Sequence, residues 1–278
     1  MSLADGKITA LEWAKGLDAP KGLALTGGKL YAADIDKLVE VDAKTGMILA
    51  KYDAPGAQFL NDIAADAQGR VYVSDSNTST IWRLADGKFE KWVQGEALKF
   101  PNGLHVSGDK LIIAAWGKPG TSAQSSEPSN LVEVSLADKS VRDHGDSKPV
   151  GNLDGIEPID DAFLVTDFVA GALYRIDRSG KAERLLDFNQ GSADIAQPRR
   201  AHPTGRRPID RRLSGGDRRR AAAIRSRDGP RVRVRRSAAG NARLSSAIAL
   251  LPVGPLQRAC RTAVQPDATG LSARPGDL

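Results

Sequence analysis

The runs Asn61-Asp62-Ile63-Ala64-Ala65-Asp66, Val71-Tyr72-Val73-Ser74-Asp75, Ile81-Trp82-Arg83-Leu84 and Phe89-Glu90-Lys91-Trp92-Val93 decide how this chain folds. Apolar residues alternate along each run at period two, the pattern of a half-buried β-strand. Turn signals part them: Ala67-Gln68-Gly69, then a polar loop, then Ala85-Asp86-Gly87-Lys88. Four short strands in a unit of about 40 residues are the make-up of a β-propeller blade.

Outward from this unit, the same score repeats. A variable residue, then Gly or Asp, then Leu or Ile opens each copy: Lys21-Gly22-Leu23, Asn61-Asp62-Ile63, Asn102-Gly103-Leu104, Asp154-Gly155-Ile156 and Ala193-Asp194-Ile195. The middle residues of these motifs are 40, 41, 52 and 39 positions apart. Leu30 to Asp34, Leu111 to Ala115 and Phe163 to Asp167 take the second-strand place. Leu38 to Val41, Leu131 to Val134 and Leu173 to Ile176 take the third. Thr45-Gly46, Asp86-Gly87 and Ser179-Gly180 fall before the fourth strands, where hairpins favour residues that tolerate positive φ. No helical pattern of 10–15 residues separates the strands, which excludes an α/β sheet. The long third spacing holds an insertion, Lys118 to Asn130, rich in Gly, Ser and Pro, and it reads as a surface loop or a lid over one face.

The ends read as partial units. Ser2 to Lys7 followed by Ile8 to Trp13 matches the last turn and fourth strand of a blade, and the fifth motif starts on schedule but leads into nothing recognisable. The expected fold class is therefore all-β: an incomplete six-bladed β-propeller with about four full blades, residues 1–196. The first three strands of the opening blade are expected to be missing, with exposed strand edges and poor solubility as the result.

Composition divides the chain at the same place. Residues 1–196 carry 21 Lys+Arg and 29 Asp+Glu, a net of −8, whereas residues 197–278 carry 19 Arg and 5 Asp, a net of +14. All 14 aromatic residues lie at or before Phe188, and residues 197–278 contain no Phe, Trp, Tyr, Met, Lys or Glu. Such a segment has too little apolar surface to offset the entropy of ordering, so disorder is expected. An arginine-rich nucleic-acid arm is one reading of runs such as Arg231-Val232-Arg233-Val234-Arg235-Arg236. The absence of Lys, the lack of interleaved aromatics for base stacking and the border inside a repeat favour the other, a translated shifted reading frame. No nucleic-acid partner is expected.

Cys260 is the single cysteine, so no intramolecular disulfide forms. Met1 runs directly into polar residues without a signal peptide, though an export signal would precede a missing N-terminus. No apolar run reaches the 18 or more residues of a membrane span, and no membrane partner is expected.

The first strand of a propeller blade runs along the central channel, so the opening residues Lys21, Asn61, Asn102, Asp154 and Ala193 should ring one mouth. Two amides and a carboxylate would converge there, although far apart in sequence. Such hard oxygens suit Ca2+. The absence of His and Cys from the set argues against zinc and copper. Asn, Asp and Gly also simply make turns, and position alone leaves both readings open.

Phe59-Leu60-Asn61-Asp62-Ile63 with Val71 to Asp75, then Phe100-Pro101-Asn102-Gly103-Leu104, then Asn152-Leu153-Asp154-Gly155, resembles the gluconolactonase, regucalcin and luciferin-regenerating-enzyme family from Met1 to about Ala196. That resemblance implies a six-bladed propeller with an axial divalent metal, usually calcium, or Mg2+, Mn2+ or Zn2+, supporting hydrolysis of small-molecule lactones or esters. It implies Asn102 and Asp154 as direct metal ligands, Asn61 as ligand or substrate-binding residue, and Asp154 as the catalytic acceptor of a water proton. A Glu that the family supplies from its first blade has no counterpart here, and Lys21 brings a cation to the mouth, so impaired activity is expected. A non-catalytic propeller scaffold for a ligand or protein is the alternative. His105 and His144 lack a neighbouring nucleophile motif and read as strand or loop residues. Trp13, Trp82, Trp92 and Trp116 read as packing between blades.

Overall fold

The computed structural model describes residues 2–4, 7–10, 12–188, 192–196 and 249–250. The tail expected to be disordered, 197–278, lies outside the described residues apart from 249–250. Four four-stranded antiparallel sheets make up the fold, each a meander in chain order. Blade 1 is β3 (Pro20–Thr26), β4 (Lys29–Asp34), β5 (Lys37–Asp42) and β6 (Ile48–Asp53). Blade 2 is β7 (Leu60–Ala65), β8 (Val71–Asp75), β9 (Thr80–Ala85) and β10 (Lys88–Gln94). Blade 3 is β11 (Pro101–Ser107), β12 (Lys110–Ala115), β13 (Leu131–Ser135) and β14 (Val141–Asp143). Blade 4 is β15 (Leu153–Ile159), β16 (Ala162–Asp167), β17 (Ala172–Ile176) and β18 (Ala182–Asp187). Before them β1 (Ser2–Ala4) pairs with β2 (Lys7–Ala10), and after them comes β19 (Ile195–Ala196). The described helices are two short 3₁₀ turns, and neither is long or apolar enough to cross a membrane.

The hairpins form where the sequence places residues that accept left-handed backbone. Asp86 and Gly87 take φ of 50° and 76°, a two-residue turn whose twist matches the flanking strands. Adjacent blades then stack face to face. Tyr31, Ala33 and Leu38 of blade 1 pack on Val71, Val73, Trp82 and Leu84 of blade 2. Tyr72, Ile81 and Trp92 on its other face pack on Leu111, Ile113 and Val132 of blade 3. Ile112, Ala114 and Leu131 of blade 3 in turn meet Leu153, Phe163 and Val165 of blade 4. Trp82 and Trp92 thus sit between blades, as expected.

Period two therefore means something other than half-burial in the inner strands. Every residue of β8 is fully buried, because Val71 and Val73 face one neighbour and Tyr72 the other. Alternation between half-buried and exposed survives on outer strands such as β6. Burying one large apolar side chain contributes about 1.5–3 kcal/mol, so these layers hold the blades in sequence.

Two segments depart from the expected strands. The N-terminal strand stops at Ala10 instead of continuing to Trp13. Trp13, Ala14 and Leu17 lie across the outer face of blade 1, on Ala32, Val39 and Val41. Gly46 is required beneath that strap, because a Cβ there would stand 2.2 Å from the Trp13 carbonyl oxygen. The insertion Lys118 to Asn130 holds one 3₁₀ turn, Ala123–Ser125, within an ST-rich loop. Asn152 grips its ends by donating to the carbonyls of Trp116 at 2.8 Å and Glu127 at 3.0 Å.

Candidate functional site at the blade openings

The opening motif of each of the four blades is a β-bulge. In β3 the register runs from Pro20↔Asp34 to Leu23↔Ala32, so three steps on the first strand meet two on the second. The same slip occurs from Leu60↔Asp75 to Ile63↔Val73, from Pro101↔Ala115 to Leu104↔Ile113, and from Leu153↔Asp167 to Ile156↔Val165. A bulge twists its strand and re-aims the extra side chain. Here the extra pair is Lys21-Gly22, Asn61-Asp62, Asn102-Gly103 and Asp154-Gly155.

Residues of the second strand and of neighbouring blades lock this geometry. Ser74 Oγ accepts from the Asp62 amide at 2.9 Å and donates to the Asn102 carbonyl at 2.7 Å. Thr166 repeats the device in blade 4, accepting from the Gly155 amide at 2.8 Å and donating to the Ala193 carbonyl at 2.5 Å. Asp62 Oδ2 accepts from the Leu104 amide at 2.7 Å, a second tie between blades 2 and 3. Gly103 is needed because a Cβ there would stand 2.0 Å from the Asp154 carbonyl oxygen. The Asp residues that end β4 and β8 are structural. Asp34 accepts from the amides of Asp18 and Ala19, and Asp75 from those of Gln58 and Phe59.

Of the three expected site residues, two meet directly. Asn61 Nδ2 donates to Asn102 Oδ1 at 2.6 Å and lies 3.2 Å from Ser76 Oγ. Asn102 is buried and Asn61 half-buried. Asp154 opens the adjacent first strand, β15. Its carboxylate has no hydrogen-bond or ion-pair partner among the described residues. Burial, and then repulsion from Asp194, push that carboxyl up to about 7. Asp62 is also raised well above the usual carboxylate range, by burial first, then Asp194, with Asp154 adding to it. Asp194 is raised by desolvation. Repulsion thus links the carboxylates of three openings, and none of them pairs with a Lys or Arg among the described residues. Lys21, expected to bring a cation to the mouth, instead lays its Nζ 4.3 Å from the centroid of the Phe59 ring.

Sequence reading missed Asp62, Asp194, Ser74 and Thr166. The signal was present: a hydroxyl residue precedes the strand-ending Asp in both Ser74-Asp75 and Thr166-Asp167. His105 and His144 take structural places, as expected. His105 packs edge-on against Phe163, and His144 bridges Glu133 Oε1 at 2.8 Å and the Asp177 carbonyl at 2.9 Å.

A shell made of acidic and imidazole side chains alone does not form, since no group of three or more His, Cys, Asp or Glu among the described residues is placed to hold a metal. The donors that do gather are amide and carboxylate oxygens, and an amide can present oxygen in place of nitrogen by rotating about its last bond. With uncompensated negative charge beside them, they fit a hard divalent cation.

No protein-family model matches the sequence, and no curated protein matches it. Among solved structures, a streptogramin B lyase overlays with a TM-score of 0.52 at 16% identity, covering 64% of this chain and 58% of that one. A nidogen–laminin complex overlays with a TM-score of 0.52 at 14% identity, covering 63% and 67%. A gluconolactonase from Xanthomonas campestris overlays with a TM-score of 0.49 at 16% identity, covering 65% and 67%. The likeness shows the propeller fold, and at such identities the fold alone. This chain spans 58% of the length of the lyase.

Proposed function

We propose that the mouth formed by Asn61, Asn102 and Asp154 holds a divalent cation, calcium in the first place, and that the site hydrolyses lactones or related small esters. The observation that carries this reading is the 2.6 Å contact between Asn61 and Asn102, residues 41 positions apart, at the mouth that Asp154 also opens with a partnerless carboxylate. The resemblance of the same motifs to the gluconolactonase family supports it. Asn102 and Asp154 would hold the cation, with Asn61 as a third ligand or as the amide that orients a substrate oxygen. When bound, the cation would polarise the ester carbonyl and stabilise the developing oxyanion. Asp154 takes the proton of the attacking water. Asn61 draws on Ser76 to fix its amide, and the bulges set the direction of all three side chains.

The test is hydrolysis of δ-gluconolactone by the full chain, read as proton release, with calcium binding followed separately by calorimetry. Turnover should require added calcium and stop with chelator. Asp154→Ala should lower it by about 100-fold or more, the usual worth of a positioned acid or base. Turnover that ignores both chelator and Asp154→Ala overturns the assignment. Calcium binding without turnover overturns the hydrolytic part and leaves the scaffold reading.

A further inference from the structure

The residue that follows each second strand stands beside a blade opening. In blade 2 it is Ser76, whose amide donates to the Phe59 carbonyl at 3.1 Å and whose Oγ lies 3.2 Å from Asn61 Nδ2. In blade 3 it is Trp116, its amide 2.9 Å from the Phe100 carbonyl, and in blade 4 Phe168, its amide 3.0 Å from that of Asn152. These acceptors stand two residues before Asn61, Asn102 and Asp154, so one repeated bond sets each follower at the rim of the mouth. Ile35 takes the place in blade 1, after β4. Its carbonyl accepts from the Leu60 amide at 2.9 Å, one residue from Asn61.

What gathers there is apolar. Trp116 and Phe168 meet across blades 3 and 4 with ring centroids 5.6 Å apart, and both are half-buried. Ile35 is 43% exposed. None of the four residues carries a charge, and Ser76 commits its hydroxyl to Asn61 and to the Pro101 carbonyl at 2.7 Å. Ile35 is also held at φ 61°, a left-handed backbone that a β-branched side chain rarely takes. Asn or Gly would sit there with less strain, yet the exposed place holds an aliphatic side chain. Such strain gathers at sites that hold a ligand.

The chemistry of this rim separates two kinds of lactone. A polyhydroxylated lactone carries hydroxyls around its ring, and each one that leaves water needs a hydrogen-bond partner. Among the side chains of Ile35, Trp116 and Phe168, the indole N–H is the one group that can supply it. An alkyl chain needs no such partner and gains about four-fold in binding for each methylene withdrawn from water.

Given the hydrolytic function proposed for the mouth, on which this inference rests, we propose that Ile35, Trp116 and Phe168 form an apolar rim that selects alkyl-substituted lactones over polyhydroxylated ones. The ester group would lie at Asn61, Asn102 and Asp154, and the alkyl chain on the rim.

δ-Decalactone and δ-gluconolactone share one ester ring and differ in bearing a pentyl chain or hydroxyls. With the full chain and calcium, kcat/KM should be at least about ten-fold higher for δ-decalactone, the worth of two buried methylenes. Ile35→Asn removes apolar surface at a position whose backbone suits Asn, so it keeps the fold. It should raise KM for δ-decalactone about four-fold with little change in kcat. Binding is followed apart from turnover by nitrogen–proton NMR of the Trp116 indole N–H, assigned with Trp116→Phe. That signal should shift saturably with δ-decalactone, with the same loss of affinity in Ile35→Asn. Saturable shifts without hydrolysis of either lactone would remove the hydrolytic function and leave the rim standing. Equal or higher kcat/KM for δ-gluconolactone, unchanged KM and affinity in Ile35→Asn, or a Trp116 signal blind to δ-decalactone would overturn the rim.

Discussion

Glu133 is a carboxylate placed inside a sheet and answered from three sides. His144 Nδ1 stands 2.8 Å from its Oε1, while Lys110 Nζ at 3.0 Å and an Arg142 guanidinium nitrogen at 2.7 Å meet Oε2. Burial alone would raise this carboxyl, but the bonds from His144, Lys110 and Arg142 outweigh it and hold it at about 2. Its folded acidity is thus depressed from the ordinary 4.5, so its stabilisation is complete above pH 4.5 and lost as pH falls toward 2. Urea unfolding between pH 2 and pH 7 should therefore show a decline in that window, and Glu133→Gln should flatten it. At neutral pH the substitution should cost about 1–3 kcal/mol, since it takes the carboxylate acceptor away from His144, Lys110 and Arg142. Parallel pH profiles for the two proteins would refute this account. Asp154 shows the opposite outcome from the same chemistry: a half-buried carboxyl with no partner among the described residues and a repelling Asp194, pushed up instead of down. Neither state is legible from residue type, because it depends on which groups the fold brings near.

At the scale of the element, the device that makes a mouth is the bulge with its hydroxyl lock. Ser74 is fully buried, and its hydroxyl joins a bulge amide in blade 2 to a carbonyl in blade 3. Ser74→Ala should cost about 1–3 kcal/mol by leaving both groups unpaired, and Ser74→Thr, the choice made at Thr166, should restore most of it. Thermal unfolding with and without calcium reads the result. If Ser74→Ala melts like the parent and binds calcium as well, the lock has no such role. The periodicity of Val71 to Asp75 announced a strand, yet not that both of its faces are covered, because alternation looks the same whether the second face meets water or another blade. The insertion was legible as an excess of residues, while the hold that Asn152 has on it was not. A side chain reaching two carbonyls 25 and 36 residues back leaves no local pattern.

At the scale of the whole molecule, the layered cores between blades leave one sheet face less covered. Leu23 and Leu25 on β3 are 57% and 56% exposed, with Met47 and Leu49 exposed nearby in sequence to β5 and β6. Exposed apolar surface promotes association. Leu23→Thr with Leu25→Thr should lower self-association in sedimentation velocity while costing less than about 0.5 kcal/mol each, the usual scale for surface changes. Unaltered association would show that this face is not responsible. The repeat, the four strands of each unit, the hairpin turns and the candidates Asn61, Asn102 and Asp154 were all determined by the sequence on its own. Strand period and turn chemistry are local, and repetition makes equivalent positions visible. Only the tertiary structure decided that Asn61 touches Asn102, that Asp62 and Asp194 add their charge to the same mouth, and that Lys21 turns to Phe59. The physical reason is that these contacts join residues about one blade or more apart, and their distance is set by how the blades stack around the axis.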